Sequence, residues 1–173
     1  MNHIARKNRN QGKTIFCAGI MLVLSATLSV QGAERTVGQT APDFTFTTPE
    51  GKPMKLSSYR GKPVALHFWT TWCGPCIREL PLISALTQAK AQELTVLAVN
   101  CAETEQTVAS FLGRNSITLN VVMDQDSRIS RLYAIDAIPQ TYLIDAEGII
   151  RSIRVGAYTR GELNRDISAL LGR

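Results

Sequence analysis

The sequence predicts an α/β domain, a mixed central sheet flanked by helices, with a β-hairpin at its front. Three observations carry that expectation. Two almost wholly apolar runs, Val64 to Trp69 and Leu94 to Val99, read as strands, the second buried on both faces. Stretches with apolar residues at helical spacing alternate with them, which implies parallel pairing through right-handed crossovers. Near the end, Thr141 to Ile144 and Ile149 to Val155 flank the turn Asp145-Ala146-Glu147-Gly148 and read as an antiparallel pair.

In chain order, Ala41 to Thr48 is an extended opening strand. Pro49-Glu50-Gly51-Lys52 is a turn, and Pro53 to Leu56 is the returning strand. Arg60-Gly61-Lys62-Pro63 punctuates before the central strand. A helix begins at Cys73, with Ile77, Leu80, Ile83, Leu86 and Ala89 on one face; Pro81 inside it predicts a kink. Glu105 to Arg114 reads as a short helix, Asn120 to Met123 as a short strand, and Ser127 to Tyr133 as one or two helical turns. Thr159 caps a last helix whose apolar side carries Leu163, Ile167, Leu170 and Leu171.

The 173 residues suit one domain plus a leader, and 45% apolar content suffices for a single core. A formal charge of +5 invites a nucleic-acid reading, but Arg6, Lys7, Arg9 and Lys13 all precede the first acidic residue, Glu34. Beyond them, 15 basic residues face 14 acidic ones, so the excess marks no nucleic-acid-binding face. The basic head, the uncharged run from Thr14 to Val30 and the following Gln31-Gly32-Ala33 have the layout of a signal peptide or an N-terminal membrane anchor, over residues 1–33. Either would send the domain at 34–173 across a membrane and leave the basic head behind. A short basic head of this kind suggests a bacterial cell envelope, on the periplasmic side, where thiols meet an oxidising environment.

Chemistry concentrates in Trp72-Cys73-Gly74-Pro75-Cys76, where the central strand gives way to a helix. Two intervening residues permit a small disulfide ring. A helix N-terminus favours a thiolate on Cys73 through unpaired N–H groups and the macrodipole, and the thiolate is the nucleophile. Pro75 falls in the first turn, where its missing N–H costs nothing. Two buried core cysteines or half of a zinc site are the alternatives; the position of the motif favours redox chemistry. No phosphate loop, paired-carboxylate site or basic-aromatic patch supports other chemistry, and no cofactor is expected.

With WCGPC after an apolar strand and Ile138-Pro139 before the strand Thr141 to Ile144, the chain resembles the thioredoxin fold. Gly38-Gln39-Thr40-Ala41-Pro42-Asp43-Phe44, Gly51 and Leu56 to Pro63 narrow this to the membrane-associated TlpA/ResA-like thiol-disulfide oxidoreductases. Val99-Asn100-Cys101-Ala102-Glu103 is similar to their inserted segment after the second core strand, which carries an acidic residue near the active site. The resemblance implies that Cys73 attacks and Cys76 resolves the mixed disulfide. It also implies a cis-proline at Pro139, which presents the backbone of Ile138 to a substrate. The partners implied are a disulfide-containing protein substrate and a membrane thiol electron donor, and apocytochrome c is the best-known substrate of the family.

Several residues carry two readings. His67 stands where thioredoxin has a buried acid; it is either a proton acceptor or pKa tuner for Cys76, or a satisfied core histidine. Glu103 is either a proton relay or a solvated acid at a helix start. Cys101 is a third redox thiol or a buried free cysteine. Trp69 reads as core and Trp72 as a partly exposed lid on the site, contacting substrate. Glu79 fits the first-turn acid bias of a helix as well as any specific role, and Gln140 replaces the more usual Thr of the family.

Three functions compete. The first is a cell-envelope reductase of protein disulfides. The second is a thiol peroxidase: the front motif is shared with peroxiredoxins and Thr70 stands three before Cys73, but Leu66 occupies the place of an expected proline. The third is a copper-binding assembly protein of the same fold, disfavoured by CxxC in place of CxxxC and by the lack of a downstream histidine.

Overall fold

A computed structural model describes residues 35–48 and 50–173. The predicted signal peptide or anchor lies outside the described residues. Among these, no helix is long and apolar enough to cross a membrane.

The chain opens on a hairpin of β1 (Thr45–Thr47) and β2 (Pro53–Lys55), which forms a two-stranded sheet of its own. The predicted opening strand is therefore shorter than expected. Ala41 and Phe44, which precede it, are nevertheless buried in the core. Then follow β3 (Val64–Trp69), α1 (Gly74–Ala89), β4 (Thr95–Cys101), α2 (Glu105–Asn115), β5 (Val121–Asp124), α3 (Arg128–Leu132), β6 (Gln140–Ile144), β7 (Ile150–Val155) and α4 (Arg160–Leu170). The five-stranded sheet runs β5-β4-β3-β6-β7. The first three of these are mutually parallel, whereas β6 and β7 pair antiparallel. The predicted alternation is thus present; the sheet is mixed because β6 enters antiparallel to β3, and the short turn at Asp145–Gly148 then returns β7 antiparallel to β6. Pro81 does not end α1, which continues to Ala89.

Side chains alternate across the sheet. Leu66 and Phe68 of β3 face the hairpin and α3, where Phe44, Phe68, Tyr133 and Tyr142 pack at ring separations of 5.1–6.1 Å. Both buried phenols find carbonyls: Tyr133 donates to Pro42 O at 2.8 Å and Tyr142 to Tyr133 O at 2.7 Å. Such pairing lets amphipathic rings be buried without stranding their hydroxyls. Ala65 and Trp69 face the other way, onto α1, α2 and α4. The two inner strands of the parallel part, β3 and β4, are therefore covered on both sides, and their ends are held at fixed positions. At the turn before β7, Gly148 has φ +81°, and the Arg60 guanidinium occupies the space a Cβ would need.

A candidate redox site at the end of β3

The site is built where β3 stops at Trp69 and α1 starts. Cys73 is the N-cap of α1, with an extended backbone (φ −81°, ψ 103°), and its Sγ accepts the Cys76 N–H at 3.2 Å. Pro75 sits in the first turn. The two cysteines form a disulfide, their Cα atoms 5.2 Å apart. Cys73 retains 6% exposure, and Cys76 has none. An incoming sulfur thus reaches Cys73 and not Cys76. On reduction, the same N–H and the positive end of the helix favour a thiolate on Cys73.

Across from it, the Ile138–Pro139 bond is cis. The Ile138 carbonyl lies 3.7 Å from Cys73 Sγ; a disulfide sulfur has no proton to give it, whereas a reduced thiol does. The Pro139 carbonyl accepts from Gly156 N at 2.8 Å. Trp72 is 73% exposed, more than a partial lid requires, and Val155, paired in the sheet with Gln140, is 62% exposed. Two large apolar side chains thus stand in solvent on the segments that flank the disulfide and the cis-proline.

Glu103 is partly buried and engaged on both carboxylate oxygens. Its carboxylate accepts from Thr71 N at 2.8 Å, Thr71 Oγ1 at 2.5 Å and Asn100 Nδ2 at 2.7 Å. It therefore ties the end of β4 to the turn that delivers Cys73. A Glu103→Ala variant should lose about 2–3 kcal/mol, since hydrogen bonds to a charged group are lost and buried donors are stranded. A lowered urea midpoint with unchanged slope would register this loss; an unchanged midpoint would show that the turn does not depend on the carboxylate.

His67 is fully buried and shares a cross-sheet row with Ala98, Thr141 and Arg154, all on the α1/α4 face. Its Nδ1 lies 2.9 Å from Thr141 Oγ1, and Nε2 has no partner among the described residues. Burial pushes its pKa down to about 4, so the ring is neutral at neutral pH.

Glu79 departs most from its sequence reading. It lies beyond the first turn of α1, and its side chain is buried on the face that carries Cys76, Leu80 and Ile83. Oε1 accepts Tyr158 N–H at 3.0 Å, and Oε2 is unpartnered among the described residues. Burial outweighs that hydrogen bond and the Arg154 charge, raising its pKa to about 7. The signal was present in the sequence: Glu79 stands three residues after Cys76 and four before Ile83, within the apolar stripe. Cys101 is a half-buried free thiol near Ser130 Oγ, at 3.4 Å, and burial pushes its pKa up, away from thiolate character.

Residues 37–153 match the AhpC/TSA family. The chain is 35% identical over 171 residues to the thiol-disulfide oxidoreductase ResA of Geobacillus kaustophilus, with 94% of this chain and 98% of that one covered. The chain belongs to the ResA-like thiol-disulfide oxidoreductases, within the AhpC/TSA family. Solved structures agree with this family. StoA from Bacillus subtilis superposes with a TM-score of 0.64 at 29% identity, covering 74% of this chain and 97% of that one. A secreted Mycobacterium tuberculosis disulfide oxidoreductase gives 0.66 at 28%, covering 73% and 96%. The fold is thus that of thioredoxin-like oxidoreductases, and the Cys73–Cys76 disulfide of this ResA-like chain sits at a helix N-terminus, which favours the thiolate that thiol exchange uses.

Proposed function

We propose that this ResA-like oxidoreductase reduces disulfides of other proteins on the periplasmic side of a bacterial cell envelope. In this reading residues 34–173 form the exchange domain, and residues 1–33 are a signal peptide or anchor. A membrane thiol donor supplies the electrons, and apocytochrome c before haem attachment is the substrate placed first.

The observation that carries the reading is the Cys73–Cys76 disulfide, capping α1 with only Cys73 within reach of a partner. The reduced protein attacks through the Cys73 thiolate, giving a mixed disulfide and releasing one substrate thiolate. Cys76 then loses its proton and displaces the second substrate sulfur, closing the intramolecular disulfide. A substrate chain rests on Trp72, Ile138 and Pro139. Glu79 takes the Cys76 proton, as its position one turn along α1 and its near-neutral titration suit a general base. His67, kept neutral, and Glu103, committed to Thr71 and Asn100, act as supports in this scheme. The adjacent resolving cysteine favours dithiol exchange over peroxidase chemistry.

Direction follows from how well the site stabilises the reduced form. A carboxyl buried one turn of α1 beyond Cys76 disfavours a second thiolate, and Gly74-Pro75 matches the dipeptide of thioredoxin, so the pair should be reducing. Equilibration of the Cys73–Cys76 pair with glutathione buffers measures this. A potential nearer the thioredoxin end, about −270 mV, is expected. A value near that of a strong oxidant, about −120 mV, would reverse the direction.

A further inference from the structure

The turn from β7 to α4 reaches three places at once. Gly156 N donates to Pro139 O, Tyr158 N donates to Glu79 Oε1 at 3.0 Å, and Thr159 caps α4. Arg154, the next-to-last residue of β7, grips this turn. Its Nη2 donates to Ala157 O at 3.1 Å and to Glu162 Oε1 at 2.9 Å, and its guanidinium carbon lies 4.6 Å from the centroid of the Tyr158 ring. Glu162 is itself fixed, because its other oxygen accepts from Thr159 N at 2.8 Å and Thr159 Oγ1 at 2.7 Å in a reciprocal cap.

We propose that Arg154 is a positioning residue for thiol exchange: it holds the β7–α4 turn so that the Tyr158 N–H stays on Glu79, and it thereby governs proton transfer at the dithiol without touching either sulfur. The inference rests on the reading of Glu79 as the proton acceptor of Cys76. A planar guanidinium serves here where an ammonium would not. One nitrogen, Nη2, donates to the carbonyl and the carboxylate while the guanidinium carbon stays over the phenol ring, a spread that an ammonium, whose charge and donors share one atom, does not span. Of the ionisable groups, Arg154 from β7 and Tyr158 from the turn interact with Glu79; Glu162 and Asp166 from α4 reach those two, the neutral His67 from β3 shares the cross-sheet row of Arg154, and Cys76 lies one turn back on the buried side of α1. Of these, Arg154 alone both carries a positive charge and contacts the turn that delivers the N–H.

Two substitutions separate geometry from charge. Arg154→Met removes both; Arg154→Lys keeps the charge and loses the simultaneous hold on the ring and the two acceptors. The readouts are the pH profile of disulfide reduction and thermal melting, measured on wild type, both variants and Glu79→Gln. Losing an N–H that favours the carboxylate should move the acidic midpoint of the profile up by about 0.5–1 pH unit in Arg154→Met, with Arg154→Lys moving most of the way. In a Glu79→Gln background, Arg154→Lys should leave the profile where Glu79→Gln puts it. A wild-type profile in folded Arg154→Lys would overturn the positioning role, since charge alone would then suffice. A Glu79→Gln variant with an unchanged profile would instead overturn the reading of Glu79 on which the proposal rests.

Discussion

Replacing Cys73 by Ser is expected to lower protein-disulfide reduction on the order of 10³-fold or more, as happens when a nucleophile is removed from a site that acts as a unit. The expectation comes from access as much as from chemistry. Cys76 is fully buried, so it cannot substitute as the attacking sulfur. Cys101 is half-buried, and its thiol is pushed up in pKa, which leaves little thiolate at neutral pH. A Cys76→Ser variant should behave differently: one attack per molecule, then a stalled mixed disulfide. Steady-state turnover therefore falls in both variants, whereas a single burst survives only in Cys76→Ser. Insulin reduction followed by turbidity, with a rapid-mixing measurement of the first turnover, distinguishes the two. Residual steady turnover in Cys73→Ser would place the chemistry elsewhere.

Glu79→Gln is expected to slow turnover by about 10²-fold near neutral pH, within the range for loss of a general base. The inflection near pH 7 should vanish from the profile with it. The same substitution has a signature in stability. The folded-state pKa is raised to about 7 by burial, above its usual value of 4.5. Below pH 4.5 the carboxyl is neutral in both states. As the pH rises, the unfolded chain sheds the proton while the fold retains it, so stability is lost until the folded carboxyl ionises near pH 7. This carboxyl's share of the loss should be about 3 kcal/mol across that window, and Glu79→Gln should remove it. The buried His67 gains stability over nearly the same window, because its folded pKa of about 4 lies below its usual 6.5, so the measurement is the difference in urea midpoint between wild type and Glu79→Gln at pH 4.5 and at 7.5. A difference that is the same at both pH values would mean that the carboxylate is compensated in the fold.

The fold was legible because its signals are local and redundant. Val64 to Trp69 and Leu94 to Val99 are apolar enough to announce buried strands, and Asp145-Ala146-Glu147-Gly148 leaves little but a tight turn. The two cysteines were legible for the same reason, since spacing and position both lie in one short stretch. What could not be read depends on contacts distant in sequence. Glu103 acquires its donors from Thr71, 32 residues away. Glu79 stands in a legible apolar stripe, but the N–H that it accepts comes from Tyr158, 79 residues on. Arg154 looks like one more charge on an edge strand until Tyr158 and Glu162 are placed around it. His67 shows the limit of analogy. It stands in the row where an acid was expected, but without a charged partner its burial keeps it neutral.

The central claim is that exchange runs through a covalent adduct on Cys73. Incubating reduced Cys76→Ser protein with a disulfide-bonded substrate, quenching in acid and mapping non-reduced peptides tests it directly. The account predicts a mixed disulfide joining the substrate to the peptide that contains Cys73. An adduct on Cys101, or none at all, would contradict it.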